Sequence, residues 1–281
     1  MKQMQPSYIK ALIDLLSRED GSAVALLKEE LAHIMQQNPQ ALHQVIEQDF
    51  HSALPLPFVH AMQEIYWDEL TLQITQFVAK INPDLEEALT LASRFINPAI
   101  TRDEIAQQID ALAHDLRPVL ANCNCAADIW ENTGRFFFHT QKYAVLPSVH
   151  DPKELSFARF LRKKQGAALC VCCLYAVCAE RFGLDGGVVD LAGRVLACVQ
   201  PQDSSEPLFA DPLDNGRLLT LDDCKDYIFE RNLAWNEAFV MPLSSRMILR
   251  RFFSHMIFIL NKLRDERRLS YLRRYMDILK N

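Results

Sequence analysis

Gln165–Leu184 reads QGAALCVCCLYAVCAERFGL, an apolar run that starts after Gly166 and closes on Glu180, Arg181 and Gly183. Its length and boundaries predict a helix buried on all sides, the spine of a core. It is too short for a membrane span, which needs roughly 18 apolar residues or more. Four of the eight cysteines of this 281-residue chain, Cys170, Cys172, Cys173 and Cys178, sit in it. With 49% hydrophobic and 23% charged residues the composition is that of a soluble globular protein with a sizeable core.

Immediately downstream the period changes. Gly186–Leu191 and Arg194–Val199 are short β-branched or apolar runs divided by Ala192-Gly193, and Pro207–Ala210 is a third, ending at Asp211-Pro212. A helix followed by a small antiparallel meander is expected. Upstream the pattern is helical: Tyr8, Ile9, Leu12, Ile13, Leu15 and Leu16 form one stripe, and Val24, Leu26, Leu27, Leu31 and Ile34 form another after the Asp20-Gly21-Ser22 break. Pro39 opens a third helix, Asn82-Pro83-Asp84 reads as an N-terminus with Asn82 as cap, and Thr101 with Glu104 reads as a capping box. The expected class is α+β, predominantly α. Residues 1–95 are expected to form a helical layer of weakly HEAT-like character, 96–240 the helix-and-sheet core, and 241–281 a C-terminal helical hairpin.

An ordered set of segments carries a family resemblance. Asp151-Pro152, Phe157, Phe160–Gly166, the apolar helix to Leu184, Asp211-Pro212-Leu213, Gly216–Leu219 and Met241–Arg246 through Arg250-Arg251 together resemble the SirB family of bacterial transglutaminase-like proteins. The resemblance implies a papain-like thiol core. In relatives that keep the chemistry, a thiol stands two residues after the glycine matched by Gly166, a histidine stands in the strand matched by Ala192–Val195, and a carboxylate precedes a proline. Here those positions are Ala168, Arg194 and Asp211. A thiol nucleophile needs a lowered pKa and an oriented imidazole, and a guanidinium cannot act as a base near neutral pH. Two roles are open for Asp211: accepting backbone N–H bonds in its turn, or an ion pair with Arg194 in place of the histidine and carboxylate.

Two readings of function follow. One is a non-catalytic binding or regulatory scaffold; the alternative is a thiol-dependent hydrolase or amide transferase using a relocated cysteine, Cys170 or Cys172. Cys170 lies about 200° around the helix from position 168, and Cys172 lies one turn deeper. The CxC and CxCC spacings lack the paired CxxC of structural zinc sites, so most thiols are expected to be core filling, and neither a metal nor a cofactor is implied. His139 and His150 flank the loop before the cysteine helix; a lone histidine in such a segment is expected to be surface or core filler, the alternative being that both face the cleft, whereas His255 and the others sit on helical patterns without a second ligand at i+4.

Net charge is −6, yet residues 244–281 hold ten Lys or Arg against three acidic residues. An amphipathic hairpin with solvated arginines explains this. A basic interaction surface made of Arg250, Arg251, Arg267, Arg268, Arg273 and Arg274 is the alternative. The expected partner is another protein, with no strong nucleic-acid signal and no membrane span. Phe252–Phe258 would permit a homodimer if exposed, and the N-terminus lacks a cleavage site, which predicts a cytoplasmic location.

Overall fold

A computed structural model describes residues 5–18, 22–50, 53–200 and 206–280. Among them lie twelve α-helices: α1 Pro6–Arg18, α2 Ser22–Gln37, α3 Pro39–Asp49, α4 Leu56–Ala79, α5 Leu85–Ile96, α6 Arg102–Leu120, α7 Ala126–Arg135, α8 Phe157–Lys163, α9 Ala168–Arg181, α10 Leu221–Phe229, α11 Ser245–Leu263 and α12 Glu266–Ile278. The strands are β1 Ala144–Val145, β2 Gln165–Gly166, β3 Asp185–Leu191, β4 Arg194–Gln200, β5 Leu208–Asp211 and β6 Arg217–Leu219. The fold is α+β and predominantly α. Two compact units divide the chain, Met1–Leu72 and Gln73–Asn281.

In the first unit α1, α2 and α3 each touch the other two. Their stripes meet as predicted at Ile9, Leu12, Ile13, Leu16, Leu31 and Ile34, joined by Leu42, Val45 and Phe58. Tyr8, Leu15 and Leu26 of the same stripes are exposed instead. A helical apolar arc covers only part of the circumference, and these residues fall at its edges. The break expected at Asp20-Gly21 lies outside the described residues.

The second unit is built around α9, whose residues Leu169 to Ala179 are all buried. β3, β4, β5 and β6 form an antiparallel meander in chain order, with α9 packed on β3 and β4. The register pairs Gly187 with Cys198 and Ala197 with Ala210. Side chains alternate between two covered faces. One lies on α9, where a Cβ at Gly186 would stand 2.5 Å from the Ala179 Cβ, so glycine permits the close approach of strand to helix. The other carries Val189, Leu191, Leu196, Cys198 and Phe209 against Cys224 and Ile228 of α10. Burial on both faces explains why β4 reads as a continuous apolar run with no polar alternation.

α6 packs on α9, α5 packs on α6 and on α11, and α11 packs on α12, with Phe95, Phe253 and Tyr275 in mutual edge and tilted contacts at 5.5–6.3 Å between centroids. Asp84 caps α5 through the Glu87 N–H, which corrects the expectation for Asn82: with helical dihedrals beginning at Leu85, the cap falls after Pro83. Thr101 caps α6 through the Glu104 N–H as expected, while the Glu104 carboxylate pairs with Arg162.

Several elements have no forerunner in the sequence reading, α10 among them. β6 extends the meander, β1 and β2 form a two-residue parallel pair ahead of α9, and Phe136–Thr140 is a π-helical turn that buries three consecutive phenylalanines. Phe137 and Trp130 pack against Tyr175 of α9 at 5.1 and 5.0 Å. The Tyr175 hydroxyl is buried and finds no hydrogen-bond partner among the described residues; it is wedged between Gly134 and Gly216, where added Cβ atoms would come within 2.8 and 2.5 Å of it. An unpaired buried hydroxyl carries its full desolvation cost. Tyr175→Phe is therefore expected to raise stability by about 1 kcal/mol, read as a higher midpoint in urea at unchanged slope. A lower midpoint would refute that assignment.

Candidate functional site

A cavity of about 250 Å³ opens at the N-terminus of α9. Five segments that are distant in sequence wall it: residues 145–149 after β1, Ala167 to Leu169, Gly193 to Val195 at the β3–β4 turn, Leu213 after β5, and Arg251 with His255 from α11. The parallel pairing of β1 with β2 fixes the first two walls against each other, since Leu146 N–H donates to the Gly166 carbonyl at 2.9 Å. α9 starts with Ala167 as its N-cap and has no side-chain cap, so no hydroxyl or carboxylate of its own covers the helix end.

Two of the three positions singled out by the resemblance line this cleft directly. Ala168, the first residue of α9, presents a methyl group to it, and Arg194 forms part of the opposite wall. Asp211 is 1% exposed and forms the ion pair with Arg194. Its other oxygen accepts the Leu213 N–H at 3.0 Å, which makes it the cap of the turn Pro212–Asp214, and its backbone carbonyl accepts the Gly216 N–H at 2.8 Å. The Arg194 guanidinium also lies over the Tyr227 ring of α10, 4.9 Å from its centroid. Arg194 is thus held by a carboxylate and an aromatic face, and its Nε is buried without a partner among the described residues.

Cys170 and Cys172, the alternative nucleophiles, are fully buried along α9. Burial pushes the Cys170 thiol up to about 12 and the Cys172 thiol well above its ordinary value, with Cys198 and Cys170 adding to the latter. Cys173, Cys178, Cys198 and Cys224 are buried too, whereas Cys125 is exposed, capping α7 through the Asp128 N–H, and Cys123 is half-buried. Among the described residues no group of three or more His, Cys, Asp or Glu is placed to hold a metal ion.

Neither His139 nor His150 is among the residues that line the cleft. His139 lines a separate surface depression with Glu131, Arg135 and Asp214. His150 is exposed and bonds the hydroxyl of Ser148, a cleft residue, at 2.8 Å. The imidazole that lines the cleft is that of His255, which the i+4 search for metal pairs passed over. Partial burial and the neighbouring Arg251 hold it below the ordinary histidine value, so it is largely neutral at pH 7.

The six arginines considered as one basic surface do not share one environment. Arg251 turns into the cleft region, where it pairs with Asp190 and donates to the Gly193 carbonyl at 2.9 Å. Arg268 pairs with Asp265 and Arg273 with Glu266, Arg267 is half-buried, and Arg250 and Arg274 are exposed. Phe252 and Phe253 are buried, and Phe258 is exposed.

With this geometry in place the comparisons can be stated. Residues 103–254, just over half of the chain, match the transglutaminase-like superfamily, and the chain belongs to it. No curated protein and no solved structure matches. Among the described residues no helix is long and apolar enough to cross a membrane.

Proposed function

We propose that this chain is a non-catalytic, SirB-type member of the superfamily, a bacterial cytoplasmic protein whose core acts as a binding or regulatory scaffold for another protein. The observation that carries this reading is the Ala168 methyl group at the mouth of α9. The cleft remains open there, but among the described residues that line it none is a cysteine, and the base position holds a guanidinium engaged with Asp211. Acyl transfer through a cysteine needs thiolate, imidazole and an orienting group within hydrogen-bond reach of one another. The thiols nearest in sequence, Cys170 and Cys172, are buried and strongly disfavoured as thiolates.

The test is iodoacetamide labelling of the native protein at neutral pH, followed by peptide mass spectrometry. Modification at Cys125, and more slowly at half-buried Cys123, is expected, with the six buried thiols labelled only as fast as the protein opens. Rapid native-state modification of Cys170 or Cys172 would overturn the scaffold reading in favour of a thiol enzyme.

A further inference from the structure

We propose that the face built from α8 and the β1–β2 pair docks an acidic segment of another protein. This rests on the scaffold reading and names the chemistry of the partner. The ten Lys or Arg of residues 244–281 are largely engaged within the fold. Arg251, Arg268, Arg273 and Lys280 pair with Asp190, Asp265, Glu266 and Asp277, and Arg246 donates to the Val78 and Lys80 carbonyls, each at 2.6 Å.

A second basic stretch, residues 141–165, holds six Lys or Arg against two acidic residues, and its charge is left open. Arg162 pairs with Glu104, and Lys164 donates to the Gln141 side chain at 2.9 Å. Lys142, Lys153, Arg159 and Lys163 make no side-chain ion pair or hydrogen bond among the described residues. The two carboxylates serve the backbone instead. Glu154 accepts the His150 and Asp151 N–H groups at 2.9 and 3.3 Å, and Asp151 accepts the Lys153 N–H at 2.8 Å, closing the cap of the short turn Pro152–Leu155. A chain of net −6 has carboxylates in excess, so cations left unpaired along one stretch take their counter-charge from outside.

The fold gathers these cations. Arg159 and Lys163 stand one turn apart on α8 and wall a depression of about 130 Å³ with Glu154, Gln165 and Leu146. Lys142 and Lys163 each precede the register pair Ala144–Gln165 by two residues, so the parallel pairing of β1 with β2 brings both lysines to the same end of that pair. Leu146 lines this depression and the cleft at the N-terminus of α9 alike, which makes the basic face continuous with the cleft's apolar wall. A charged rim beside an apolar hollow is the anatomy of a protein-docking surface. Nucleic acid or an anionic membrane would instead meet the repulsion of the whole chain's net −6. The occupant is therefore a protein segment that carries Asp or Glu next to an aliphatic residue.

Fluorescence-anisotropy titration of the full chain at low ionic strength tests this with two labelled, C-terminally amidated peptides, Glu-Asp-Leu-Glu-Asp and its neutral counterpart Gln-Asn-Leu-Gln-Asn. The acidic peptide is expected to bind saturably and about tenfold more tightly than the neutral one, with the difference shrinking as salt is added. Arg159→Gln combined with Lys163→Gln is expected to weaken it about fivefold. Arg250→Gln combined with Arg264→Gln removes the same charge from exposed positions on and just after α11, and is expected to leave binding unchanged. None of these four side chains has an ion pair among the described residues to lose, so both double variants are expected to keep the parent melting temperature. Equal affinity for the two peptides, no saturable binding, or equal loss in the two double variants would each overturn the proposal. So would tighter binding of phosphatidylserine-containing vesicles or of a single-stranded oligonucleotide than of the acidic peptide. None of those results touches the absence of a working thiol, which falls only on rapid labelling of Cys170 or Cys172.

Discussion

Ala168→Cys is expected to create the one fast-reacting thiol of this cleft, alkylated by iodoacetamide at neutral pH about a thousandfold faster than Cys170 or Cys172. Position 168 is the first residue of α9 and lines the cavity, so reagent reaches it without any opening of the fold. The helix N-terminus and the Arg251 charge both favour thiolate there. Cys170, two residues on, is fully buried with its thiol pushed up to about 12, and it reacts only through transient opening. The factor of a thousand corresponds to an opening cost of about 4 kcal/mol, within the range for core elements. Mass-spectrometric labelling rates for the substituted and native chains measure it. Equal rates at position 168 and at Cys170 would mean that α9 is not placed as described. Position 194 offers this thiol no base and Asp211 is engaged with Arg194, so any amide or ester turnover would have to draw on His255, which lines the same cleft; Ala168→Cys combined with His255→Ala is expected to show none.

The sequence made α9 and the meander legible for definite physical reasons. A continuous apolar run closed by Glu180-Arg181 can only be buried on every side, and the β-branched runs of β3, β4 and β5 lie between unmistakable turn residues. β6 is three residues long, and β1 and β2 are two each; strands that short exist through their tertiary pairing and leave no period to read. Ala168 and Arg194 were reached through an ordered family pattern. Arg251 and His255 were not, because helical spacing shows that they share a face of α11 without showing what that face meets. Composition had set Arg251 among the surface arginines, when its partners are Asp190 and a turn carbonyl 58 residues upstream.

Asp211→Ala is expected to be the most damaging change at the site, lowering stability by about 3 kcal/mol. The carboxylate is 1% exposed and satisfies two groups at once, the Arg194 guanidinium and the Leu213 N–H. Removing it leaves a cation packed on Tyr227 with no counter-charge and opens the turn that joins β5 to β6. Breaking a fully buried pair from one side costs about 3–5 kcal/mol; Arg194 retains 26% exposure and recovers part of its hydration, which places the expectation at the low end. For a unit of this size the melting temperature should fall by roughly 6–12 °C. Asp211→Asn keeps an oxygen for Leu213 and loses only the charge, so it should cost less than Asp211→Ala. The double change Arg194→Met with Asp211→Leu should recover most of the loss, since exchanging a buried pair for apolar groups of similar size is often neutral. Chemical denaturation of Arg194→Met, Asp211→Leu and their double variant closes the cycle, and a coupling energy near zero would remove the ion pair from any structural role. A large coupling that the apolar pair rescues would mean that positions 194 and 211 brace the β5–β6 corner. That is the outcome expected where two residues beside an open cleft answer to folding stability.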